Sequence, residues 1–274
     1  MSNNKQRLNY NILIFSILSC IQLTSCYESR EGCLDANATN YDVSADENCC
    51  CQYPNLKLTL THRADTVFIY PDSIYTNNIG KSFSIKNFKY YISDVQLQKT
   101  DGTVISNNDS LTVFSYENGN IIQKKIWNNF VYVDRGVATT IIGSFSHTGQ
   151  YSKVLFKVGV VAEANHILPD TLLPNNHALL RDKGMYIDSL VGYNHIQLRY
   201  VLTTDTITTT VFGIGAVTSV ELPWEHTLRY GYDLDVPILA NYLRWFDDVT
   251  FDESQEVLRA KLLTNTPKVF SITP

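Results

Sequence analysis

Residues 56–62 read Leu56-Lys57-Leu58-Thr59-Leu60-Thr61-His62, apolar and polar side chains in strict alternation until a histidine takes the last apolar place. Successive side chains of an extended chain point to opposite faces, so Leu56, Leu58, Leu60 and His62 share one face. The same period returns along the chain. Val95 and Leu97 alternate with Gln96 and Gln98, and Ile196, Leu198, Tyr200 and Leu202 oppose His195, Gln197 and Arg199. Leu228, Tyr230, Tyr232, Leu234 and Val236 oppose Arg229, Gly231, Asp233 and Asp235. Runs of this kind, rich in Tyr, Thr, Val and Ile and separated by turn residues, predict an all-β chain folded as an antiparallel β-sandwich. Residues 153–162 are apolar on both sides and suit a central strand. One or two short C-terminal helices are expected, near residues 239–246 and 252–263. In the second, Leu258 and Leu262 share a face, and Asp252, Glu253 and Glu256 lie near its positive end. No Pro- or Gly-rich linker divides residues 55–274, which read as one domain.

Upstream, Lys5 and Arg7 precede an apolar run over residues 12–21, followed by Leu23-Thr24-Ser25-Cys26. A positive start, a short greasy segment and small residues before a Cys predict a lipoprotein signal over residues 1–25, too short to span a bilayer. The mature chain then begins at Cys26, lipidated on its sulfur and amino group, with residues 26–54 as anchor and spacer. No Asp follows Cys26, so an outer-membrane lipoprotein is expected, periplasmic or surface-facing, its membrane partner reached through the lipid. Loss of Lys5 and Arg7 leaves 20 basic residues against 27 acidic ones, a formal charge of −7. That balance argues against a nucleic-acid partner.

The spacer is polar and cysteine-rich. Cys33, Cys49, Cys50 and Cys51 in an exported chain read as disulfide formers. Neighbouring cysteines close only a strained ring, so Cys33 is expected to pair with one of the triplet. Asp35, Asn37, Asn40, Asp42 and Asp46 are hard oxygen donors, but their order lacks the Gly and the final Glu of an EF-hand, and turns account for them better. A three-thiol Cu(I) site ranks below the disulfide. Gly32, Cys33, Asp35, Ala38, Asn40, Tyr41, Asp42 and Ala45 resemble the GCxDxxAxNYDxxA…C repeats of secreted proteins of Bacteroidetes type.

The larger domain carries a second resemblance. It rests on LTLTHRADTVFIYPDSIYTNNIGKSFSIKNFKYYISDVQLQKTDG (58–102), LFKVGVVAEANH (155–166), NNHALLRDKGMYIDSLVGYNHIQLRYVL (175–202) and DLDV (233–236). In this order, and over about residues 56–272, they resemble the MbnP-like family, named for a periplasmic methanobactin-associated copper-binding protein. The resemblance implies a β-sandwich, export, a diheme-peroxidase-type partner and, in some members, copper held by His together with an oxidised Trp. The chain departs from that pattern in two places. No Trp occurs in 184–193, where Ile187 and Ser189 or Leu190 take its places. Where relatives carry His before an apolar–Gly step, this chain reads Val211-Phe212-Gly213-Ile214-Gly215.

Imidazole and thioether are the groups that would take copper. His177 is the first candidate, because His177-Ala178-Leu179 stands where relatives carry a His-Pro-Leu-like step; His62 and Met185 complete the set. His62 has a competing reading as a core histidine bonded to a carbonyl. His166 flanks the same proline-bearing loop as His177, His195 reads as exposed on a polar strand face, and His147 and His226 read as loop residues. No G-x-S-x-G or H-E-x-x-H occurs, and Gly80-Lys81-Ser82 has Tyr75 where a phosphate loop needs Gly. Strand and turn positions explain the pairs Asp233/Asp235 and Asp247/Asp248. The chain is therefore expected not to be an enzyme. Two readings stay open: a copper-binding lipoprotein, or a non-metal binding or structural lipoprotein that has lost the family's copper site.

Overall fold

The computed structural model describes residues 27–203, 209–214 and 217–273, with 209–214 described by backbone alone. The signal segment and Cys26 lie outside the described residues. Among those described, no helix is long and apolar enough to cross a membrane.

Two β-sheets face each other across an apolar interior. The larger is organised on Ser82–Lys99, whose first half pairs with Gly192–Leu202 and whose second half pairs with Gly149–Val158. Thr218–Leu228 continues the sheet beyond Gly149–Val158. The smaller sheet runs Thr139–Ser144, Asn55–Ala64, Leu234–Asn241 and Phe270–Ile272, with Leu234–Asn241 parallel to Asn55–Ala64. The opening alternation holds: Leu56, Leu58 and Leu60 are buried, and their neighbours are half-exposed. Trp245 is fully buried where the layers meet, with Phe88, Tyr90, Tyr242 and Phe270 rings 4.1–5.7 Å away in edge-on contact.

Three expectations need correction. The run 228–236 is not one strand: Thr218–Leu228 ends, the chain turns through Gly231 at φ 73°, and Leu234–Asn241 begins in the other sheet. Tyr230 and Tyr232 are accordingly exposed. The helix expected near 239–246 starts later, as the 3-10 turn Tyr242–Phe246, because Leu239 and Ala240 complete the strand ladder. The last helix is Gln255–Val269, capped by the Ser254 side chain accepting from the Val257 N–H, and it runs past residue 263 with Pro267 in its last turn.

Ahead of the sandwich, residues 27–53 fold as a small unit around the Cys33–Cys51 disulfide (S–S 2.06 Å). The expected pairing of Cys33 with the triplet is thus present, while Cys49 and Cys50 are free. Asp35 accepts from the Asn37 N–H and Asp42 from the Ser44 N–H, the side-chain-to-backbone bonds that make Asp a turn former.

A second apolar cluster lies outside the sandwich interior. Tyr91, Val113, Ile126, Phe130, Leu179 and Met185 are among its members, buried beneath the Ser110–Glu117/Asn120–Trp127 hairpin and the loop over residues 166–185. This cluster is the floor on which His177 is set.

A candidate binding cleft beside His177

The loop that carries His177 is shaped by its turn residues. Pro174 and His177 close a tight turn through the His177 N–H and the Pro174 carbonyl (3.1 Å), and Asn176 takes φ 65°, a left-handed conformation that Asn tolerates. The ring that results is fixed at both nitrogens. His177 Nε2–H donates to Asn128 Oδ1 at 3.0 Å, and Nδ1 accepts from the Leu179 N–H at 3.2 Å. Phe130 meets the ring edge-on at 6.2 Å. Burial pushes the His177 pKa down to about 4, so the imidazole is neutral at physiological pH.

Beside this ring is a cleft of about 320 Å³, bounded by the 128–132 and 137–142 backbone segments and by residues 176–178. Two of these walls are tied together by buried Asn107, whose amide donates to the Asn128 carbonyl at 2.7 Å and the Ile142 carbonyl at 3.3 Å. Phe130, Tyr132 and Ile142 supply apolar surface, and Asn128, Asn176, Thr140 and Lys183 supply polar groups. Lys183 Nζ stands 5.9 Å from the Tyr132 ring centre, with Lys89 Nζ at the same distance. Burial raises the Tyr132 hydroxyl to about 12, so it remains a neutral hydrogen-bonding group. The cleft is lined about equally by apolar and polar groups, and its one cation, Lys183, is 3.6 Å from the Asp182 carboxylate.

A family model described as MbnP matches residues 53–261. The chain belongs to the MbnP family. Among solved structures, MbnP from Methylosinus trichosporium is similar at 10% identity and a TM-score of 0.39, over 68% of this chain and 74% of that one. No protein of curated function matches.

Within the MbnP domain, the expected copper ligands are not brought together as free donors. His62 keeps the apolar face of its strand and is buried. Its Nε2–H donates to the Val137 carbonyl at 2.6 Å, and its Nδ1 accepts from the Tyr242 hydroxyl at 3.1 Å. Val137 also lines the cleft, so His62 backs its wall without opening onto it. Met185 is fully buried in the second apolar cluster. His166 sits at a separate surface depression beside Glu117, its Nδ1–H given to the Ser189 carbonyl at 3.1 Å. His195, expected to be exposed, is buried: Asn165 Oδ1 faces its Nε2 at 3.4 Å, and a Cβ on Gly159 would lie 2.8 Å from its Nδ1. His226 belongs to the Thr218–Leu228 strand and stacks on Trp224 at 4.7 Å, whereas His147 does lie in a loop. Among the described residues no three His, Cys, Asp or Glu side chains form a metal-holding group. The family's apolar–Gly step falls partly in the Thr209–Ile214 backbone, and Gly215 lies outside the described residues.

Asn128, Lys183 and the Phe130/Tyr132 pair are the cleft residues that the sequence reading missed. The adjacent Asn128-Asn129, which interrupts an otherwise apolar run from Ile126 to Val133, was the signal available for the first of them.

Proposed function

We propose that this protein is an exported lipoprotein, anchored through Cys26 at the outer membrane, whose MbnP domain is a binding module and not a catalyst. Its ligand site is the cleft beside His177. The observation that carries this reading is the double commitment of the His177 ring to Asn128 and Leu179 at the edge of a cleft. A first-row metal needs an imidazole lone pair, and here the Nδ1 lone pair of His177, like that of His62, is already engaged. The residues present do not fit a ready-made copper site. They fit a small planar or aromatic molecule bearing an anionic group, packed on Phe130 and Tyr132 and met by Lys183 and the Asn128 and Asn176 amides.

Benzoate, observed by NMR, is a suitable probe. Saturable shifts confined to residues 128–142 and 176–183, weakened at least about tenfold by Lys183→Ala, are expected. No saturable shift in those segments would sink the cleft reading. For the metal alternative, protein with alkylated thiols is dialysed against Cu(II) and assayed. Stoichiometric copper that disappears with His177→Ala would restore the copper reading.

A further inference from the structure

The hairpin Ser110–Glu117/Asn120–Trp127 pairs within itself and joins neither sheet of the sandwich, and its two outer edges differ. In an antiparallel strand each residue sends its N–H and C=O to one side, and successive residues alternate sides. The Tyr116 N–H donates to the His166 carbonyl at 2.9 Å, and the Phe114 carbonyl accepts from the Leu168 N–H at 2.8 Å. Phe114 and Tyr116 therefore face residues 166–168, which leaves Leu111, Val113, Ser115 and Glu117 to bond across the hairpin. Their partners there are Ile126, Lys124, Ile122 and Asn120. The backbone groups of Ile121, Gln123, Lys125 and Trp127 consequently point out of the hairpin, and no backbone group meets them among the described residues.

The side chains follow the same alternation. Ile121 and Trp127 are 62% and 55% exposed, with Gln123 and Lys125 exposed between them. On the other face Ile126 is buried and Lys124 is paired with Glu117. No side-chain hydrogen bond or ion pair engages Lys125. Beside this edge opens a cavity of about 450 Å³, lined by the consecutive residues 124–127 together with Ser110 and Glu163. A row of unpaired donors and acceptors is a template for another strand, and lysines along it discourage indiscriminate pairing.

We propose that the Asn120–Trp127 edge is a docking site for an extended segment of a partner protein, acidic and apolar by turns, added to the hairpin as a third strand. The site is separate from the cleft beside His177. Backbone pairing supplies affinity whatever the sequence, and pockets for alternate side chains supply the choice. On the outer face a carboxylate opposite Lys125 makes a cross-strand ion pair. On the inner face Ile126 offers apolar surface and Glu163 repels an acid, so the cavity takes an apolar side chain. A second copy of this chain fits less well. The two-fold register that pairs all four outward residues sets Lys124 directly against Lys124, and like charges so placed are destabilising.

The test uses the mature exported chain and the peptide acetyl-Ser-Val-Glu-Val-Glu-Val-Ser-amide, with amide hydrogen exchange read by NMR. In the free protein Ile122, Lys124 and Ile126 should be protected, and Ile121, Gln123, Lys125 and Trp127 should exchange fast. Peptide at about 1 mM should slow the second set at least about fivefold, as a Kd of about 0.25 mM or tighter requires. The same peptide with Lys for both Glu should lose the effect, and Lys125→Glu should reverse the preference. Gln123→Pro removes an outward N–H that the hairpin does not use; it should keep the cooperative melt and abolish peptide protection. Equal protection by the lysine peptide, none by either, or protection that survives Gln123→Pro overturns the proposal. Protection of the outward amides without peptide overturns it too, and its rise with protein concentration would make a second copy the occupant.

Discussion

Residues 27–53 and residues 55–273 hold their shapes by opposite means. In the first stretch Cys33 and Ala38 are the buried hydrophobic residues, and order comes from one disulfide and short-range bonds from Asp, Asn and Ser side chains. The second contains no cysteine and buries Leu, Val, Ile and aromatic side chains from strands far apart in sequence. A polar stretch of this size cannot bury enough apolar surface to offset its conformational entropy, so a cross-link takes that place. A sandwich of over 200 residues needs none. Damage to one region should therefore leave the other standing, which is a claim that substitutions can break.

The largest effect is expected at Trp245, where five rings meet. Trp245→Ala removes the fully buried indole, leaves a cavity and takes away the Nε1–H that donates to the Thr266 hydroxyl at 3.1 Å, which keeps its own bond to the Leu262 carbonyl. A loss of about 3–5 kcal/mol is expected in urea unfolding, while maleimide still finds the same two thiols in the native segment. A loss under about 1 kcal/mol would mean that the sandwich does not rest on this packing. Next comes the disulfide. Cys33→Ser removes a cross-link closing a loop of 18 residues, worth about 3 kcal/mol in chain-entropy terms, all of it inside the segment. Proteolysis between residues 34 and 50 should accelerate, and the sandwich should keep its cooperative melt, as should a chain lacking residues 27–53. A shared fall in the melting temperature would show that the two regions fold as one.

The sandwich was legible because period-two alternation is a local signal, and Leu56 to Leu60 report their own burial. What failed was what depends on partners from elsewhere. His195 reads as exposed beside Gln197 and Arg199, yet residues 192–196 are buried throughout, covered by residues 159–165, and only Gly159 leaves room for the ring. The alternation across 228–236 continues without a break in the letters, although Gly231 turns the chain into the other sheet. His177 lies at the edge of the cleft, but its engagement by Asn128, 49 positions away, has no trace in the sequence near it. The turn chemistry of residues 35–44 was readable for the converse reason: its bonds span two residues.

A smaller effect should separate the two regions by pH. Burial holds His177 at about 4, and His62 is lowered by the same cause. In the unfolded chain a histidine takes its proton near pH 6.5. The unfolded state then binds more protons between about pH 6.5 and 4, so sandwich stability is full above that window and falls as pH drops through it. For His177 alone the loss should be about 2 kcal/mol, allowing for solvent screening of a half-buried ring. His177→Gln should flatten that part of the stability–pH curve, measured by urea unfolding at a series of pH values. The disulfide-held segment contains no histidine, and its proteolytic protection should not change across the window. An unaltered slope in His177→Gln would mean that the imidazole is not desolvated in solution.

The smallest expected effect lies where the two regions touch. Gly231, in the turn at φ 73°, faces the Ala38 carbonyl so closely that a Cβ there would lie 3.2 Å from its oxygen. Ala38 itself is buried by this approach. Gly231→Ala places an L side chain in the left-handed region, costing about 1 kcal/mol, and pushes on the Ala38 backbone. Two measurements separate these consequences. The backbone term should lower the urea midpoint of the sandwich slightly, whether or not residues 27–53 are present. The push should appear only as faster amide exchange at residues 33–42, whose turn rests on the contact, with Asn55–Ala64 and Leu234–Asn241 unchanged in rate. Gly231→Asn, a side chain that tolerates the left-handed region, should relieve the midpoint but not the exchange. If the exchange at 33–42 is unmoved in both variants, the segment is held to the sandwich by its continuous chain at Pro54 and not by packing against the turn.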